Sequence, residues 1–275
     1  MNFERIWAIA RKDWREVRRN RSAWLPMVIV PLIFVVVLPA GLLLAAGSDL
    51  EYAQMAFNDP ELELMLRALP PAMTAYLDGL DLVQSGIVLF LGYLFAPFFL
   101  IMPIMFAAVI AAESFAGELE RKTLEALLYT PVRDSELFLG KVLAAGVPAF
   151  AVTLFSFLGY TLVVNGLGWP VMGRVWFPLP AWYPLIFWVT PAISALGIGA
   201  TVLISARVKT FMGAYQLSGS LVLVVLALLV GQATGVLYLG VAAALIIGAV
   251  LWVIAAALLA VGIRTFRRST ILVKG

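Results

Sequence analysis

The chain has 275 residues, 63% of them hydrophobic and 13% charged, with a formal net charge of +3; soluble domains average roughly 45–50% apolar, so this composition describes an integral membrane protein. It contains no Cys and no His, which excludes disulfides, thiolate nucleophiles and thiol- or imidazole-ligated metal sites. The small net charge gives no footing for nucleic-acid binding, and its distribution along the chain carries more information than its sum.

Residues 1–21 carry Arg5, Arg11, Lys12, Arg15, Arg18, Arg19 and Arg21, with Phe3, Trp7, Ala10, Trp14 and Val17 spaced by four and three. That spacing predicts an amphipathic interfacial helix whose Trp7, Trp14, Arg11, Lys12 and Arg15 meet the membrane surface; a solvated basic arm is the alternative. A cleavable signal peptide is rejected, because Glu4, Asp13 and Glu16 interrupt the basic region and the apolar run is too long. Spans of at least the ~20 residues needed to cross ~30 Å of hydrocarbon are predicted at about 24–46, 86–112, 142–164, 181–206, 211–230 and 236–263. Because the runs are continuous rather than alternating, they are read as helices and not barrel strands. Residues 47–85 form an acidic extracytoplasmic segment, and residues 113–141 a charged loop on the opposite side. Trp182, Tyr183 and Trp188 read with the 165–180 connection as an interfacial belt. Ala227, Gly231 and Gly235 permit either close helix approach or a turn into the sixth span.

Of the 19 Lys and Arg, 17 lie in the N-terminal arm, the 113–141 loop, the 207–210 connection (Arg207, Lys209) and the tail. The positive-inside rule therefore places both termini and the 113–141 loop in the cytoplasm. No Asp, Glu, Lys or Arg falls within the six predicted spans. This weighs against a gradient-driven carrier, which needs intramembrane ionisable groups. Neutral candidates such as Thr153, Ser156, Asn165, Thr190, Ser194, Thr201, Gln216 and Ser218 read mainly as helix-packing hydrogen-bond groups. Gly140-Lys141 is followed by Val142 and lacks the upstream glycine of a phosphate-binding loop, so no ATPase motif is present.

The stretch from Ser114 to Tyr129 reads as a charged helix outside the bilayer, with Glu118–Lys122 and Arg121–Glu125 at i, i+4 and Phe115, Leu119, Leu127 and Leu128 as apolar anchors. Pro131 ends it. The run from Glu118 through Leu124, Glu125, Leu127 and Leu128 to Pro131-Val132, followed by Gly140-Lys141, resembles the cytoplasmic loop of type-2 ABC exporter permeases of the NatB-like kind. That family has Gly where this chain has Lys122. A lesser match lies at residues 205–210.

The resemblance implies an all-α fold: six transmembrane helices, an N-terminal elbow helix and a cytoplasmic coupling helix. It implies a homodimeric permease in the cell membrane, working with two copies of a separate ATPase that binds ATP and Mg, this chain having no cofactor of its own. Glu118, Glu120, Arg121 and Glu125 are then charged contacts to the ATPase, and Leu124, Leu127 and Leu128 seat the coupling helix in it. The alternative functions are a passive channel or gradient-driven carrier, and a non-transporting membrane scaffold.

Overall fold

The computed structural model describes residues 2–48, 74, 76–123, 132–208, 210–234 and 237–265. Those residues form an all-helical bundle. A 17-residue helix, α1 (Phe3–Arg19), precedes six helices long and apolar enough to cross a membrane. These are α2 (Trp24–Gly47), α3 (Leu82–Glu120), α4 (Asp134–Met172), α5 (Trp182–Val208), α6 (Phe211–Ala233) and α7 (Val241–Thr265).

The most apolar stretch of α3 is 78% buried and that of α5 72%, against 17–33% for the other four. α3 and α5 are therefore the central posts. α5 packs along α7 and α3, while α4 lies against α3, α2 and α1. The outer helices turn aliphatic side chains outward, as hydrocarbon allows.

Several helix ends depart from the sequence-based boundaries for local reasons. α3 starts at Leu82 rather than 86, because Asp81 and Gln84 form a capping box: Asp81 Oδ1 accepts from the Gln84 N–H at 2.7 Å, and Gln84 Oε1 from the Asp81 N–H at 3.2 Å. α4 runs eight residues past its predicted end at Val164 and stops at Met172, where Gly173 takes the left-handed conformation at φ 61°. Asn165 thus sits in the helix. Its amide Nδ2 donates to Phe177 O at 2.8 Å, and its Oδ1 accepts from the Trp176 and Phe177 N–H groups, folding the following loop back onto the bundle. Trp182, predicted to belong to an interfacial belt, is instead in the core at 1% exposure, stacked with Tyr160 and edge-on to Phe99 and Phe177. Tyr183 and Trp188 remain exposed.

α3 and α4 are 39 residues each, about 58 Å at 1.5 Å per residue. That is well beyond ~30 Å of hydrocarbon. Part of the excess lies at the end where α1 packs, and that part carries Glu113, Glu118, Glu120, Asp134, Glu136 and Lys141. α6 is broken into Phe211–Gly219 and Val222–Ala233. At its far end Gly231 O accepts from the Leu237 N–H at 2.8 Å, so Gly231 closes the turn into α7; Gly235 and most of the 47–85 segment lie outside the described residues.

The middle of α3 contains a π-helical stretch, Val88–Leu94, ahead of Pro97. Pro97 has no N–H, so the Tyr93 carbonyl loses its i+4 donor; Gln232 Nε2 replaces it at 2.7 Å. The Phe95 N–H bonds to Phe90 O, one residue further back than in an α-helix. The Leu91 carbonyl that it bypasses accepts from Tyr160 Oη at 2.8 Å, and Gly92 O accepts from Trp182 Nε1 at 2.7 Å. Three consecutive carbonyls thus receive side-chain donors from α4, α5 and α6, in a solvent that offers none. Replacing Gln232 with Leu orphans the Tyr93 carbonyl and should cost ~1–3 kcal/mol. Adding Pro97→Ala, which restores an N–H, should recover part of that loss in thermal unfolding of the detergent-solubilised protein.

Candidate functional site

The face of α1 formed by Ile6, Ile9, Ala10, Asp13 and Val17 is buried, at helical spacing. It packs lengthwise on the projecting end of α4. The approach is close at Gly140: a Cβ there would lie 2.9 Å from Ile9 Cβ and 3.0 Å from Ile6 O. The start of α1 is tied by the Asn2 N–H donating to Glu136 Oε1 at 2.7 Å, and its middle by Trp14 Nε1 donating to Ala144 O at 2.6 Å.

A buried ionic cluster joins α1, α3 and α4. Lys141 of α4 donates to Glu118 Oε2 at 2.6 Å and to Ser114 O at 2.5 Å, and lies 3.6 Å from Asp13 Oδ2. Its ammonium sits 5.4 Å from the centre of the Phe115 ring. Lys12 of α1 pairs with Glu118 Oε1, Asp13 Oδ1 (3.5 Å) and Glu16 Oε1 (3.2 Å). Around this core Arg121 binds Glu113 at 2.7 Å and Glu16 at 3.6 Å, and Asn20 Nδ2 donates to Glu113 Oε2 at 3.0 Å. A π-helical turn, Glu113–Gly117, sets these groups on the inward side of α3. Oxygens of Asp13, Glu16 and Glu118 lie within 4.8 Å of one another. A cation could bridge such a set, but the Lys12 ammonium already contacts all three.

Four carboxylates (Asp13, Glu16, Glu113, Glu118) thus meet three cations (Lys12, Arg121, Lys141). Burial pushes the Asp13 carboxyl above its ordinary value. Lys141 opposes this shift and Glu118 adds to it. Burial pulls Lys12 down, but the Glu118, Asp13 and Glu16 carboxylates together outweigh it and the net shift is upward.

The described part of the expected docking helix is engaged as follows. Glu118 is fully buried and held by Lys12 and Lys141, and Arg121 pairs with Glu113 and Glu16. Glu118 thus faces the bundle, and Glu125, the expected i, i+4 partner of Arg121, lies outside the described residues. Glu120 is exposed, and its Oε2 accepts from the Phe211 N–H at 2.8 Å, capping the start of α6. The helix ends at Glu120 in a Schellman motif: the Thr123 N–H bonds to Glu118 O at 3.0 Å and the Lys122 N–H to Leu119 O at 3.2 Å, with Lys122 left-handed at φ 57°. Leu124, Glu125, Leu127, Leu128 and Lys209 lie outside the described residues, and Arg207 is exposed at the end of α5. Of the residues assigned to the membrane surface, Lys12 turns into the cluster. Trp7, Arg11 and Arg15 are exposed, and Trp14 is half-buried, edge-on to Trp7 at 5.0 Å. Asp13, Glu16, Glu113 and Lys141 were not among the candidate residues; the signal for Asp13 was an acid in phase with the apolar face of α1.

Bundle and cluster together describe a polytopic helical membrane protein whose N-terminal helix is riveted to the bases of two projecting helices. A family model described as ABC-2 family transporter protein matches residues 7–273, and the chain belongs to that family. It is a multi-pass membrane protein of the class that forms the permease subunit of ABC transporters, and not itself the ATPase. No curated protein matches the chain.

Removing one partner of a buried ion pair strands the other. Lys141→Met leaves Glu118 and Asp13 short of a cation and should destabilise by ~3–5 kcal/mol; pairing it with Glu118→Gln should recover much of that in melting of the purified protein. Asp13 yields a second test. Its folded-state value lies above the unfolded 3.8, so the native state binds this proton more tightly. The stability this contributes is present below pH 3.8 and lost as pH rises through the folded value. Compared with the parent, Asp13→Asn should show a flatter fall in melting temperature as pH rises across that window.

Proposed function

We propose that this protein is the transmembrane subunit of an ATP-driven ABC exporter, coupled to a separate ATPase through the loop that follows α3. The carrying observation is the buried ionic cluster, which makes the projecting ends of α1, α3 and α4, the last two being the helices that the loop connects, a single stiff base. A push on a loop anchored this way is delivered to the central post α3, rather than dissipated in a flexible connection. The charge distribution, with 17 of the 19 Lys and Arg in the N-terminal arm, the 113–141 loop, the 207–210 connection and the tail, supports a cytoplasmic position for the loop and both termini.

On this reading two permease copies work with two ATPase copies, and ATP and Mg act in the partner. The docking surface is the segment containing Leu124, Glu125, Leu127 and Leu128, with Glu120, Arg207 and Lys209 at its margin. Glu118 and Arg121 support it from beneath. α1 lies along the inner leaflet, presenting Trp7, Arg11 and Arg15 to lipid. The far end of the bundle, with its aromatic core, faces outward, and cargo crosses between the permease copies.

The reading is tested by affinity purification of the tagged full-length protein from its native membranes. An ABC ATPase should co-purify, with nucleotide hydrolysis retained. The double variant Leu124→Asp, Glu125→Arg should reduce the recovered hydrolysis at least tenfold, while membrane abundance and melting temperature stay unchanged. Undiminished hydrolysis in the variant, or no ATPase with the parent, would refute the coupling.

A further inference from the structure

Two carboxylates leave the foot of α3 in different directions. Glu118 turns into the buried cluster, whereas Glu120, exposed in the last turn, reaches across to α6 and accepts from the Phe211 N–H at 2.8 Å. Phe211 is the first helical residue of α6, so its N–H has no partner within the helix. The ordinary capping is already done locally: Thr210, extended at φ −127° and ψ 143°, accepts from the Gly213 N–H at 3.3 Å. Glu120, 91 residues away in the chain, adds a charge-assisted bond to the positive end of the helix.

The build of α6 turns that bond into the handle of a lever. Its lower segment, Phe211–Gly219, is a helix of its own. Seven residues above Phe211, about 10 Å along the axis, the buried Ser218 Oγ accepts from Thr201 Oγ1 of α5 at 2.8 Å. Just beyond this pin the backbone tightens to i→i+3 bonds: the Ser220, Leu221 and Leu223 N–H groups reach Leu217 O, Ser218 O and Ser220 O at 3.2, 3.1 and 3.0 Å. Such a 3₁₀ interruption marks a hinge, and a Cβ on Gly219 would meet nothing within 4 Å. At the foot, Val208 and Thr210 fill the space that a Cβ on Gly213 would need, and close packing of this kind transmits strain. Between foot and pin, Tyr215 and Gln216 face Ile104, Met105 and Ala108 of α3 across a groove of about 360 Å³.

We infer that Glu120 is a positioning residue: its carboxylate passes a displacement of the α3 foot to the Phe211 N–H, which swings Phe211–Gly219 about the Thr201–Ser218 bond and changes the width of the groove. The inference rests on the ATPase coupling proposed above and names the route by which a push on the loop after α3 reaches a second span. A cap that only stabilised α6 would act equally whether α3 moved or stood still, and this separates the two roles by experiment.

The bond can be cut from either side. Phe211→Pro removes the donor, because proline is accepted at the first helical position and Thr210 before it is already extended. Phe211→Ala loses the same ring, which stacks on Tyr215 at 6.1 Å, but keeps the N–H. The full-length protein purified with its ATPase is compared by amide hydrogen exchange at rest and after trapping with ATP, Mg and vanadate. In the parent and in Phe211→Ala, trapping should change exchange several-fold at residues 219–224 and at residues 113–120. In Phe211→Pro and Glu120→Ala the response at 219–224 should be largely lost while that at 113–120 persists; Glu120→Gln, which retains an acceptor, should keep most of both. A parent-like response at 219–224 in Phe211→Pro or Glu120→Ala, its loss in Phe211→Ala, loss of both responses together, or no response there in the parent complex overturns the inference and leaves the coupling standing. Absence of an ATPase from the parent preparation refutes the coupling itself, and this route with it.

Discussion

The contact between Lys141 and Glu118 holds one end of the molecule together. Both side chains are almost wholly removed from solvent, so their attraction acts in a medium of low effective dielectric and neither can be lost alone without stranding the other. Through Lys12 the same carboxylate holds α1. Its neighbour in the chain, Glu120, caps α6. A few residues at the foot of α3 therefore fix the relative positions of four helices. Gly140, one position before Lys141, lets α1 come close enough for the pairs to form.

The opposite half of the bundle meets the same need for rigidity by different means. Charges cannot be buried cheaply at membrane depth, and among the described residues the middle of the bundle carries none. There the fixing groups are neutral donors directed at backbone carbonyls that a π-helical stretch and Pro97 leave without helical partners. A helix irregularity thus becomes a set of interhelical bonds from α4, α5 and α6 to α3. Ionic anchoring at one end and amide, phenol and indole anchoring at the other leave α3 the best-supported element.

Continuous apolar runs make the six spans, their order and the charge asymmetry legible in the sequence, since these depend on properties summed over twenty residues or more. Where the helices stop is less legible. α4 runs past Val164 because Asn165 bonds to a loop eleven and twelve residues ahead, and no local propensity encodes that partner. The start of α3 was available in the Asp81-x-x-Gln84 capping pattern. The ionic cluster illustrates the harder case: Lys12, Asp13, Glu118 and Lys141 are separated by as many as 129 residues, and read singly each looks like a solvated charge. The alternation of charge around Glu118 suggests pairing along a helix, whereas the π-helical turn at Glu113–Gly117 rotates Glu118 inward.

Lys122 shows what the helix end requires. Thr123 and Lys122 make the 6→1 and 5→2 bonds of a Schellman motif, and the residue between the helix cap and Thr123 must be left-handed, a conformation that costs a side-chain-bearing residue ~1–2 kcal/mol. Glycine meets that demand without penalty, which gives a physical reason for the Gly that the resembling loop pattern carries there. That the chain stops α3 at this point despite a lysine means the stop is imposed from outside the local sequence, by Glu118 and Arg121 being held in the cluster on one side and Glu120 at α6 on the other. The chain consequently turns away from the α3 helix at Lys122 and Thr123.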